Sequence, residues 1–182
     1  MIPRGLLLAV VLVTTAAPAP ASSGPIQSIH QQALQEHADS PTFSVDELQP
    51  PSPELLASTK GRDEDRVTVM GYLPYWVTPD NIPWEVLDIL AWFSVGVEAD
   101  GSLGNDHGWG DEEADAVIEA AHQVGASVVL SATRFGGSDL HELLSNPSAR
   151  SHAIDNLVQA MLSGGGDGID IDFEGLDVAE LT

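Results

Sequence analysis

The sequence predicts an α/β fold on parallel strands, about the first four units of a (β/α)8 TIM barrel. Three observations carry this. Nearly continuous apolar runs of strand length recur along the chain, as expected where both faces of a sheet are covered. Segments with apolar residues at helical spacing lie between the later runs. The last run, 167–175, alternates acids with large apolar residues, and period-two alternation belongs to a strand. Strands alternating with helices imply parallel pairing. Four strands in about 115 residues make half of a barrel that typically takes about 250. A doubly wound open sheet is the alternative, but no glycine-rich nucleotide loop follows the first strand.

Taken in order, residues 1–21 read as a secretory signal peptide. Arg4 is basic, Gly5 to Thr14 are mostly apolar, and Ala19-Pro20-Ala21 offers small residues before Ser22. The apolar run is shorter than the roughly 20 residues a membrane span requires. The protein is therefore expected to be exported, with no membrane association after cleavage. Residues 22–65 read as a linker or pro-region with little fixed structure. Pro41, Pro50, Pro51 and Pro53 interrupt regular elements, although Ile26 to Ala38 has the pattern of a short polar helix that can dock elsewhere.

From residue 66 to 182 the texture changes to that of a structured domain. Val67 to Leu73 is a strand, followed by Pro74-Tyr75-Trp76. Val86 to Val97 contains the second strand, and Asp100-Gly101 marks a turn. Glu112 to Gln123 is a helix with Ala114, Val117, Ile118 and Ala121 on one face and Gly125 as its stop. Ser127 to Ser131 is the third strand. A helix starts near Asn146 with Pro147 in its first turn, and Gly164-Gly165-Gly166 ends it. Gly168 to Phe173 is the fourth strand.

The chain carries 6 Lys+Arg against 28 Asp+Glu, a formal net charge of −22. This argues against nucleic acid and anionic membranes as partners and favours a neutral or cationic ligand. The absence of cysteine excludes disulfides and thiolate metal sites. Hydrophobic residues at 43% are enough for a core.

On the fourth strand Asp170, Asp172 and Glu174 share one face, opposite Ile169, Ile171 and Phe173. Carboxylates two apart on a face lie roughly 6.5–7 Å apart along the strand. Crowding and partial burial raise a pKa of such a set, and a carboxyl raised to about 6 can serve as a general acid. Asp167 has the opposite parity and is expected to hold the turn. A calcium loop starting at Asp170 would place Leu181 where a bidentate Glu is needed. A phosphate cradle at Gly164–Gly168 lacks the following Lys. A merely solvated acidic face fits poorly with so apolar an opposite face.

The acids match Asp-x-x-Asp-x-Asp-x-Glu, and the segment resembles glycoside hydrolase family 18, the chitinase family. The likeness covers about residues 67–175, including Gly71-Tyr72-Leu73-Pro74-Tyr75-Trp76 and Ala120-Ala121-His122. It departs at strand three, where the family often has Ser-x-Gly-Gly. Here Ser131 is followed by Gly136-Gly137 only after Arg134-Phe135. The resemblance implies substrate-assisted retaining hydrolysis, in which the substrate's 2-acetamido group is the nucleophile. It makes Glu174 the acid, Asp172 the residue that orients the acetamide, and Asp170 its deeper support. The implied substrate is a β-1,4-linked N-acetylglucosamine polymer, chitin or peptidoglycan-like, with no cofactor or metal.

Tyr72, Tyr75, Trp76 and Phe135 are the candidate sugar-contacting aromatics at strand ends. Trp92 reads as core, and Trp109 as either a subsite wall or a loop anchor. His107, His122 and His141 lack metal-ligand spacing and read as structural or surface residues. A non-catalytic sugar-binding relative of the same fold is the rival function. The sequence ends seven residues after Gly175, so this chain is expected to be a fragment, inactive alone, that needs a missing C-terminal half or self-association.

Overall fold

The computed structural model describes residues 27–58 and 67–175. Helix α1 (Ile29–Glu36), a 3-10 turn at Val45–Glu47 and helix α2 (Pro53–Ser58) precede the barrel units. Then come β1 (Met70–Pro74), β2 (Ile89–Gly96), α3 (Glu112–Gln123), β3 (Ser127–Phe135), α4 (Gly137–Ser145), α5 (Pro147–Ser163) and β4 (Gly168–Glu174). The strands form one parallel sheet in the order β1-β2-β3-β4. Sequential order without reversal is how a barrel wall grows, and α3, α4 and α5 pack against strands β3 and β4. Among the described residues, β1 and β4 each have a partner on one side only.

The strands form where the apolar runs place them. β2 is buried from Leu90 to Val95, and Val128, Leu130 and Ala132 of β3 are fully buried. The register shifts between Phe93 and Val95, at a cis Phe93–Ser94 peptide. β3 runs to Phe135, four residues beyond the expected end. Ser131 and Thr133 are polar but buried, because each hydroxyl finds a partner inside.

Helix α3 has the expected bounds, and Gly125 stops it with φ 74°. The side chain of Asn146 caps α5 by accepting from the Ser148 and Ala149 amides. Helix α4 was not expected. Its buried residues, Leu140 and Leu143, are too few to show a period, and the glycines before it read as loop.

Residues 27–58 correct the expectation of little fixed structure over 22–65, because tertiary anchors outweigh the prolines. Phe43 is buried in the core beside Trp92. The Phe43 amide donates to Tyr75 O, and Trp84 Nε1 donates to Gln49 O at 3.0 Å. The signal-peptide reading of 1–21 lies outside the described residues.

Trp109 is a loop anchor, with its indole lying on the glycine run after α5. Nε1 donates to Ala160 O at 2.8 Å, and a Cβ on Gly164 would fall 2.3 Å from that nitrogen. Only glycine allows so close an approach. Trp92 is fully buried, as read from its mid-strand position.

Candidate active site

The inward face of β4 carries the acids, and their neighbours follow from the register. Ser131, Thr133 and Phe135 of β3 stand opposite Asp170, Asp172 and Glu174. Asp170 Oδ2 accepts from Ser131 Oγ at 3.0 Å and from Tyr72 Oη at 3.1 Å. Two neutral donors therefore hold this carboxylate between β1 and β3. Among the described residues no hydrogen bond joins Asp170 to Asp172.

Asp172 is the most buried of the three, with 9% of its surface exposed. The nearby hydroxyls do not serve it: Ser94 Oγ and Thr133 Oγ1 pair with each other at 3.2 Å, and Thr133 donates to Val95 O. Burial raises the Asp172 pKa above the ordinary carboxylate value, and Glu174 and Asp170 add to the rise. One contact opposes it. His30 Nδ1 of α1 lies 2.8 Å from Asp172 Oδ2 and 3.6 Å from Glu174 Oε1. Glu174 Oε2 is buried with no hydrogen-bond partner among the described residues.

Tyr72 borders the acids and is 42% exposed. Burial, followed by the Asp170 charge beside it, pushes its phenol up to about 12. It is therefore a proton donor to Asp170 throughout the physiological range. Phe135 sits at the rim, beside Glu174 in register.

Tyr75 corrects the expectation of a sugar-contacting ring. It is fully buried, stacked on His107 with centroids 3.7 Å apart, and its hydroxyl donates to His37 O at 2.7 Å. The chain turns after Pro74, so Tyr75 leaves the cleft side for the core. Trp76 is half-buried, and one ring face is taken by the imidazole of His37 at 4.6 Å and 10°.

Asp167 holds the turn as expected. Its Oδ2 accepts from the buried Val128 amide at 2.7 Å and lies 2.8 Å from His122 Nε2. His30 and His37 were missed. Their one signal was the helical pattern of 26–38, which gives no docking address. Behind Glu174, the backbones of β3 and β4 meet through a glycine pair. Gly136 N donates to Glu174 O at 3.1 Å, and Gly136 and Gly175 both have φ 95°. A Cβ on Gly175 would lie 3.2 Å from Gly136 N.

The fold of the described residues has counterparts among solved structures. A chitinase from Bacteroides thetaiotaomicron matches with a TM-score of 0.54 and 24% identity, over 61% of this chain and 37% of that one. A chitinase from Rhizomucor miehei matches with a TM-score of 0.50 and 28% identity, over 58% of this chain and 33% of that one. In structure the chain is chitinase-like. It has a glycoside hydrolase-like fold, that of a partial TIM barrel, as the family resemblance implied. The chitinase-like chain spans about a third of the length of these two relatives. No protein-family model and no curated protein matches the sequence.

Proposed function

We propose that this chain forms part of a secreted glycoside hydrolase that cleaves β-1,4-linked N-acetylglucosamine polymers, chitin or peptidoglycan-like, by substrate-assisted retaining hydrolysis. The observation that carries the reading is the inward acid row. It combines one buried carboxyl of raised pKa, Asp172, with Glu174 further out and Asp170 fixed by Tyr72 and Ser131.

In this mechanism the substrate's acetamide oxygen attacks the anomeric carbon while Glu174 gives its proton to the leaving-group oxygen. Asp172 accepts from the acetamide N–H and so directs the oxygen and steadies the oxazolinium that forms. Water then opens that ring, with Glu174 taking its proton, and the configuration is retained. Asp170, held by Tyr72 and Ser131, supplies the third carboxylate of the row. No cofactor enters these steps. Tyr72 and Phe135 are the aromatics left to face a sugar, and Trp76 joins them if its ring face is freed.

The test is release of chromophore from a chitobioside by the full-length protein and by Glu174→Gln. Loss of the acid should lower turnover by about 10²–10⁴-fold. Undiminished turnover in the variant sinks the role given to Glu174. Glycan binding without turnover in the unaltered protein moves the assignment to the binding-only relative.

A further inference from the structure

We propose that residues 27–43 are a built-in occupant of the acid cleft, holding the site closed until a glycan displaces them. The inference rests on the glycan reading of the acid row. Two imidazoles of one short segment stand where two parts of an N-acetyl sugar would bind. His30 presents a ring nitrogen to Asp172 Oδ2 at 2.8 Å, the position an acetamide N–H would need. Its ring packs against Tyr72 at 5.1 Å and Phe93 at 5.3 Å. His37 lies flat on Trp76, as a sugar ring lies on an aromatic platform.

Asp172 is too buried to take both ligands. Its neighbouring hydroxyls are already paired, so the side occupied by His30 is the side left for an acetamide.

The hold is of a kind that can be released. Helix α1 buries none of its residues, and Ile29 is 78% exposed. A helix without a buried apolar stripe has little tertiary support of its own. Below it the segment is tethered, with Phe43 in the core and Thr42 Oγ1 donating to His107 O at 3.0 Å. Displacing α1 together with His37 breaks the two imidazole contacts and the Tyr75 Oη–His37 O hydrogen bond, and leaves the anchor in place. The cleft next to Glu174 is walled on one side by Gln27, Ser28 and Gln31 of this segment, so the same motion widens it.

The experiment compares the full-length protein with a His30→Ala/His37→Ala variant. It measures chitotriose affinity by calorimetry and amide hydrogen exchange over residues 29–36. Because no residue of α1 is fully buried and the substitutions leave Leu34 in place, the double substitution should leave the barrel folded. An occupied site lowers apparent affinity by the fraction that is open. The variant should therefore bind chitotriose about tenfold more tightly, with faster exchange over α1. Chitotriose should also speed that exchange in the unaltered protein. Equal or weaker binding by the variant, or exchange over α1 indifferent to sugar, overturns the closure while leaving the glycan reading intact. Absence of chitotriose binding in both forms overturns the glycan reading and the closure with it.

Discussion

Asp167→Ala separates the first acid of the motif from the other three. Asp167 is not on the inward face; its Oδ2 ties the start of β4 to the start of β3 through the Val128 amide and His122. Val128 is fully buried, so removing the acceptor strands an amide away from water, at a cost of about 1–3 kcal/mol. The His122 contact is more than a third exposed on both sides and adds about 0–1 kcal/mol. The sum is about 1–4 kcal/mol, and for a chain of this size each kcal/mol moves Tm by about 2–4 °C, giving a fall of about 2–16 °C. Thermal unfolding followed by far-UV circular dichroism reads it. Asp167→Asn keeps a carbonyl acceptor for Val128 and should recover more than half of the loss, whereas chitotriose affinity should change little in either variant at 20 °C. An Asp167→Ala protein that melts with the natural one yet no longer binds glycan refutes the reasoning.

Both tyrosines of the chain have raised pKa values, Tyr72 to about 12 through burial and the Asp170 charge, and Tyr75 through burial and Asp39. The stabilisation linked to Tyr72 is complete below pH 10 and is lost as pH rises through about 12. Absorbance at 295 nm should show far less than half tyrosinate at pH 10, and a phenol titrating there in the folded protein contradicts the assigned contacts. Export predicts that protein recovered from the culture medium begins at Ser22; material retained in cells with Met1 intact counts against it.

Much of the barrel was legible because its two middle strands, β2 and β3, are largely buried on both faces. The runs 67–73, 86–97, 127–131 and 168–173 each contain most of a strand, and α3 and α5 announce themselves through a glycine stop and an asparagine–proline start. The acid row was legible because strand parity is strict: Asp170, Asp172 and Glu174 share a face for the same reason that Asp167 does not. What stayed hidden depends on contacts between distant residues. His30 meets Asp172 across 142 positions, and nothing local in a polar helix encodes that. Tyr72 and Tyr75 are alike in type and nearby in sequence. Three residues apart, they have opposite parity, and Tyr75, just past the end of β1, turns into the core with its hydroxyl on His37 O. Helix α4 was lost between a glycine pair and two leucines, too short a stretch for its period to show.

The Gly136–Gly175 contact constrains how this site can diversify. Barrels of this kind acquire new specificities by remodelling the loops at the C-terminal ends of their strands. Here the chain leaving β3 and the chain leaving β4 are joined backbone to backbone directly behind Glu174, in a conformation that side chains resist. A substitution or insertion at either glycine would shift the proposed acid itself. Among the described residues, changes that alter which sugar is accepted while keeping Glu174 in place therefore fall in residues 75–88 and 97–111, the loops after β1 and β2.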